Sequence, residues 1–255
     1  MRVVRLSTTP VKGLALHHPM SVAITRTGAV GDRAFFLSSR DSLFSISKSG
    51  NMVSIRADWD EESGRLTLTE RGSVLATGAV VLGESTSADF FGHHRVSGRV
   101  VEGPWAAVLS ERAGRPVILV KAGEVNGARD VEPLTLLGEE SVRELARQSS
   151  LDQVDARRFR MLLEFDGAPP HAEDSWEGRH VRIGSAVLEV RGRVKRCAGT
   201  TRNPDTGTVD LRTLTLIGAY RGRQTSILGT GFNFGVYART AVPGLISVGD
   251  DLVLA

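Results

Sequence analysis

Val194-Lys195-Arg196-Cys197-Ala198-Gly199-Thr200-Thr201-Arg202-Asn203-Pro204-Asp205-Thr206-Gly207 carries the only cysteine of the 255-residue chain, behind a cluster of cations and ahead of a tight turn. Upstream, Arg191, Arg193, Lys195 and Cys197 share parity, so on a β-strand all four side chains would leave one face. Nearby positive charge favours thiolate over thiol, and the thiolate is both the nucleophile and the soft-metal ligand. Beyond the cysteine, Pro204 presets φ at a first corner and Gly207 permits a positive φ, so Asn203 to Gly207 reads as a turn. On residue chemistry alone the cysteine is either a reactive thiol or an ordinary buried one in a basic strand.

The flanking chain reads as short strands. Val3 to Leu6, Ser21 to Thr25, Ala34 to Leu37, Leu66 to Thr69 and Val74 to Leu82 are apolar or β-branched runs punctuated by Gly, Asp and Ser. Helical spacing first shows at Pro104 to Arg112, with proline in the first turn and Gly114 as the stop. Pro116 to Val120 predicts a buried strand. Glu139 to Gln148 predicts the clearest helix: Val142, Leu145 and Ala146 form its stripe, Glu139 and Glu140 open it, and Arg147 closes it. Glu139 also faces Arg143 at i,i+4. Phe159 to Phe165, Val181 to Ile183, Ala186 to Val194, Asn233 to Arg239 and Leu245 to Leu254 predict further strands, while Leu214 to Tyr220 fits helix or strand. Many strands with few helices point to a closed or nearly closed β-barrel rather than a βαβ sheet.

Composition narrows the class. With 41% hydrophobic and 24% charged residues the chain is an ordinary globular one, long enough for one large or two small domains. Its net charge of +3 suits an anionic ligand. A single cysteine excludes an internal disulfide framework and fits a reducing compartment. No apolar run approaches the roughly 20 residues of a membrane helix, and Val3-Val4-Arg5-Leu6 is too short for a signal segment. The expected location is cytoplasmic, with no membrane partner. His93-His94 is poor material for a metal site, because neighbours on a strand face opposite ways. Gly229 to Gly235 departs from GxGxxG at Phe234 and reads as a loop that would line a site.

Arg196-Cys197 followed by Thr200-Thr201 and Pro204-Asp205-Thr206-Gly207 resembles the signature of the MOSC domain, named for the C-terminal part of molybdenum cofactor sulfurase. Thr9-Pro10-Val11-Lys12-Gly13-Leu14 is similar to the family's PVKG stretch, and Gly31-Asp32-Arg33-Ala34-Phe35 to its G-D-R strand entry. Pro133-Leu134-Thr135-Leu136, Ala172-Glu173-Asp174-Ser175-Trp176, Ile183-Gly184, Phe234-Gly235-Val236-Tyr237, Pro243-Gly244 and Val248-Gly249-Asp250 follow in the family's order. The resemblance implies a mainly β fold. It places a β-barrel MOSC domain with a few short helices over residues 101–255, after a smaller β-rich N-terminal domain over residues 1–100. It also implies the molybdenum cofactor (molybdopterin) bound between the two domains, with Cys197 as catalytic residue and molybdenum ligand. Cations matching Lys12, Arg33 and Arg160 would hold the pterin and its phosphate, and Gly13, Lys48, Lys195 and Arg196 complete the expected set, Lys48 standing in for an arginine. The chain departs from the pattern where the family commonly has F-R-P-N: Phe159-Arg160-Met161-Leu162 puts an apolar residue in the place of the asparagine. Lys195 likewise stands where a small polar residue is usual.

Three functions follow as expectations. The first is a molybdenum-dependent oxidoreductase, similar to the amidoxime-reducing enzymes, that reduces N-oxygenated or similar small substrates. Its electron donor must be separate, since one cysteine cannot hold an iron–sulfur cluster and no flavin or haem motif is present. The second is a cofactor-free sulfur carrier or sulfurtransferase with a persulfide on Cys197. Its partner would be a cysteine desulfurase bringing the pyridoxal phosphate associated with the family. The third is a non-catalytic anion- or RNA-binding module, against which stands the lack of an aromatic-rich stacking strand. Nucleic acid is therefore not an expected partner.

Overall fold

Short apolar runs bounded by turn residues bury themselves by pairing sideways, and the computed structural model, which describes residues 1–123 and 127–255, shows four sheets built that way. The largest has seven strands, in the spatial order Arg2–Leu6, Leu163–Asp166, Leu134–Gly138, Asn233–Val242, Ala186–Lys195, His180–Ile183 and Leu252–Leu254. All neighbours in it are antiparallel except Leu134–Gly138 and Leu163–Asp166, which run parallel. A closed five-stranded barrel joins Phe35–Ser39, Ser42–Leu43, Val81–Phe90, His94–Glu102 and Ile118–Ala122. Two three-stranded sheets complete the set. The fold is mainly β, as expected, and the ring that closes is the one nearer the N-terminus.

Strand pairing crosses residue 100 in both directions. Arg2–Leu6 pairs with Leu163–Asp166, and Ser21–Thr25 pairs with Gly244–Ser247. Ile118–Ala122 in turn pairs with Phe35–Ser39. Two main cores result. One packs Val3, Leu6, Leu136, Phe165, Val181 and Val236 around the seven-stranded sheet. The other packs Phe35, Leu37, Leu66, Trp105 and Leu119 in the N-terminal half. Among the described residues no helix is long and apolar enough to cross a membrane.

The helices follow their sequence signals. Helix α1 (Trp105–Ala113) buries Trp105 and Leu109 and stops at Gly114, whose φ is 67°. Helix α2 (Glu139–Gln148) buries Val142, Leu145 and Ala146, with Arg143 bonded to Glu139 at 2.6 Å. That exposed pair contributes roughly 0.2–0.5 kcal/mol, so the stripe, not the pair, holds the helix. The ambiguous stretch forms helix α3 (Thr213–Arg221), with Thr213 and Ile217 buried one turn apart. Gly218 lies so close to Phe232 that a Cβ would stand 2.7 Å from the ring.

Two expected strands are corrected. Val74 to Leu82 is divided between Ser73–Ala79 and Val81–Phe90, which belong to different sheets. Phe159 to Phe165 is not extended throughout: Ala156–Phe159 is a 3-10 turn capped by the Asp155 side chain, and the strand proper is Leu163–Asp166. Between them Arg160 takes φ 52°, in the left-handed region. Long-range bonds described below hold it there against its local preference.

A histidine outside the candidate site gives a pH signature. His171, also left-handed at φ 59°, hydrogen-bonds Arg221 and, at 3.1 Å, the Tyr220 hydroxyl. Burial first, then the Arg221 charge, pulls its pKa from 6.5 down to about 4. The unfolded chain therefore binds the extra proton below pH 6.5 while the native chain refuses it. Stability from the neutral ring is complete above that pH and drains as pH falls toward about 4. The urea midpoint is expected to fall more steeply between neutral and mildly acid pH in the wild type than in His171→Gln; parallel curves would contradict this.

Candidate functional site

Cys197 lies two residues past the end of the Ala186–Lys195 strand, at the entrance to the 3-10 turn Ala198–Thr201. The strand alternates buried and half-buried residues, so Arg191, Arg193 and Lys195 do share a face. The expectation that Cys197 continues that face is corrected, because the ladder ends at Lys195 and the chain turns away. The alternating cations serve other groups. Arg191 bonds Glu189 at 2.6 Å, Arg193 stands 3.6 Å from Asp174, and Lys195 Nζ donates to Leu228 O at 3.0 Å. Gly231 leaves room for the Lys195 stem: a Cβ there would meet Lys195 Cε at 2.6 Å. That support, rather than lining the cleft, is the contribution of the Gly229 to Gly235 loop.

The thiol is exposed, with Cys197 Sγ 3.1 Å from Ser47 Oγ. Two turns meet there. The Asn203 side chain accepts from the backbone N–H of Asp205 and Thr206 at 2.9 and 3.0 Å, fixing the expected turn. Gly207, at φ 73°, abuts Gly50, and a Cβ on either would fall 2.0 Å from the other's carbonyl oxygen. This contact sets the Ser45 to Ser49 segment against the cysteine turn.

The cations come from the N-terminal half and from the segment before Leu163–Asp166. Thr9 N–H donates to Asp32 Oδ1 at 2.9 Å, Arg33 N–H to Thr9 O at 2.7 Å, and Lys12 N–H to Phe35 O at 2.8 Å. Val11 and Leu14 are fully buried on either side of Lys12. Lys12 Nζ then meets Asp130 Oδ1 at 2.9 Å. Burial foremost, joined by the charges of Arg33 and Arg160 and opposed by Asp130, lowers the Lys12 pKa. Arg33, itself at φ 53°, donates from Nη1 to the buried Asp32 and from Nη2 to Arg160 O at 3.0 Å. Arg160 returns the link across the molecule, donating from Nη2 to Leu14 O at 2.6 Å. Burial, then Arg33, brings the Arg160 pKa down to about 9, so it remains a cation at neutral pH. Arg196 donates to Phe159 O at 2.9 Å and lies over the Phe159 ring at 5.1 Å, and burial brings its pKa to about 10.

These residues converge on one cleft. Lys12, Gly13, Arg33, Arg160, Lys195, Arg196 and Cys197 all line it. Lys48 does not: its ammonium turns inward to Leu43 O at 2.8 Å. Leu162 lies in the core, 2% exposed, so the apolar residue in the asparagine's place does not face the cleft. Glu173 is also structural, buried against the Ser141 hydroxyl at 2.8 Å. The sequence reading missed Ser45, Ser47, Phe91, Arg129, Asp130 and Arg158. Only Arg158, two residues before Arg160, offered a local signal. His93 and His94 are exposed, and among the described residues no three His, Cys, Asp or Glu side chains stand close enough to hold a metal ion.

The MOSC domain pattern matches residues 122–253, the part of the chain that carries Arg160, Lys195, Arg196 and Cys197. The chain belongs to the MOSC domain family. Mitochondrial amidoxime reducing component 2 of Bos taurus is 29% identical over 127 residues, covering 48% of this MOSC chain and 37% of that relative. Among solved structures, the YuaD protein from Bacillus subtilis aligns over 99% of this chain and 94% of its own, at 10% identity and a TM-score of 0.48. YiiM from Geobacillus stearothermophilus aligns over 49% and 54% at 16% identity, with a TM-score of 0.36.

Proposed function

We infer that this MOSC chain holds the molybdenum cofactor in the cleft and works as an oxidoreductase on small N-oxygenated compounds, with Cys197 as the metal ligand. The observation that carries the reading is an exposed thiol on the edge of a cleft lined by seven cationic side chains against the carboxylates of Asp130 and Glu132. The residues fit such a group. Arg158 Nε, Arg196 Nε and Ser45 Oγ are buried without a hydrogen-bond partner, leaving donors for an anionic, hydrogen-bonding ligand. A thiolate is the soft ligand that suits a thiophilic metal. When bound, the molybdenum supplies two-electron chemistry at an open coordination position.

The chain's own part is binding and orientation. Lys12, Arg33 and Arg160 offer charge to the phosphate and pterin oxygens, while their backbone and carboxylate bonds fix where those charges stand. Arg196, clamped by Phe159 and Met161, sits beside the cysteine and orients what binds there. Electrons come from a separate donor protein. The printed name of the bovine relative, an amidoxime reducing component, supports N-oxygenated substrates. Protein from cells that make the cofactor is expected to reduce an amidoxime with a supplied electron donor, and Cys197→Ser to lose that turnover. Activity unaltered in Cys197→Ser would contradict the assignment.

The exposure of Cys197 also favours a second reading, a sulfur carrier loaded by a desulfurase. A persulfide on Cys197, found by mass spectrometry in active molybdenum-free protein, would put it first.

A further inference from the structure

The strands Val81–Phe90 and His94–Glu102 are joined by a β-turn closed by His93 N–H to Phe90 O at 3.1 Å. Both central residues have positive φ, 60° at Phe91 and 75° at Gly92. The first such place in a hairpin turn ordinarily takes Asn, Asp or Gly, and a bulky side chain there is a steric outlier. The two phenylalanines of this turn differ sharply. Phe90 is fully buried, packs against Phe36 at 5.3 Å and His94 at 5.5 Å, and lies 5.7 Å from the Lys12 ammonium. Phe91 is 44% exposed, has no aromatic or cationic ring contact among the described residues, and lines the cleft that holds Cys197. Neither packing nor turn geometry accounts for a phenylalanine here. A residue kept in a strained conformation without local return points to a role at the site it borders.

We propose that Phe91 is a specificity-determining platform at the rim of the cleft, on which a planar aromatic substituent of the substrate stacks while its polar head enters toward Cys197. The other aromatic rings lining the cleft, Phe159 and Tyr237, are buried at 3% and 5% exposure and have no open face of that size. Ile46, half-buried, adds apolar surface to the lining contributed by the N-terminal half. Met161 and Val194, the other large apolar side chains of the lining, are buried at 1% and 4% exposure, so an aryl group finds its open aromatic face at Phe91. This assignment rests on the cleft being the substrate site, as inferred above.

The test uses the cofactor-loaded protein without reductant, so that binding is read with no turnover. Affinities for benzamidoxime and acetamidoxime, which share a head group and differ in the aryl ring, are compared in wild type, Phe91→Gly and Phe91→Trp. The wild type is expected to prefer the aryl ligand by several-fold, up to about tenfold. That preference should collapse toward one in Phe91→Gly and persist in Phe91→Trp. Because glycine relieves the positive φ, the Phe91→Gly protein should melt no lower than wild type, which excludes misfolding as the cause. An aryl preference absent from the wild type, or unchanged in Phe91→Gly, overturns the proposal. If aryl preference follows Phe91 but neither amidoxime is reduced once a donor is added, the reductase reading fails and the platform stands.

Discussion

Arg33→Met is expected to lower the stability of the fold by about 3 kcal/mol and to empty the cleft of its anionic ligand. The Asp32 side chain is fully buried, and Arg33 donates to its carboxylate. Removing one partner of a buried pair costs roughly 3–5 kcal/mol, because the remaining charge is left in a low dielectric. The lower end applies because Thr9 N–H still donates to Asp32. Arg33 also ties the two halves together through Arg160 O. The structural and binding roles separate in the double variant Asp32→Asn/Arg33→Met, in which the buried charge is gone. Urea denaturation should show most of the lost stability returning in the double variant, while ligand retention stays lost. Retention returning together with stability would make Arg33 a structural residue only.

The second large effect is expected from Gly207→Ala. A methyl group there would stand 2.0 Å from Gly50 O, with only backbone to give way. Overpacking costs roughly 1–3 kcal/mol, and a Cβ at φ 73° adds about 1 kcal/mol more. The functional consequence is larger than the loss of stability. Separating the turns withdraws Ser47 from Cys197 and breaks the bond from Arg202 Nη1 to Gly207 O at 2.9 Å. Asp205→Ala, in the same turn, is the control: it removes an exposed ion pair with Arg157 at 2.8 Å, worth under about 1 kcal/mol. Gly207→Ala should therefore lower the melting temperature and the ligand occupancy together, and Asp205→Ala should change neither appreciably. Equal effects from the two variants would contradict the role given to the Gly50–Gly207 contact.

What the sequence disclosed was whatever local chemistry fixes. Helix α2 was legible to the residue because its acids, stripe and closing arginine agree. The Asn203 to Gly207 turn was legible because its asparagine bonds its own backbone two and three residues on. The segment at Arg160 was not, since its left-handed φ is held by Arg33, 127 positions away, and its guanidinium by Leu14, 146 positions away. Lys48 looked like a binding cation, but its charge is spent on Leu43 O, which no spacing could reveal. Parity correctly placed Arg191, Arg193 and Lys195 on one face, yet Glu132, Asp174 and the Leu228 carbonyl that they also meet belong to other segments of the chain. Arg129, Asp130 and Phe91 reach the cleft by tertiary folding alone.

The central claim is that Cys197 and the cationic cleft hold a molybdenum cofactor. Molybdenum and released pterin are measured in wild-type protein and Cys197→Ala, both purified from cells able to make the cofactor. The account predicts roughly stoichiometric metal and pterin in the wild type, with molybdenum falling in the variant. Wild-type protein free of both under those conditions would contradict it.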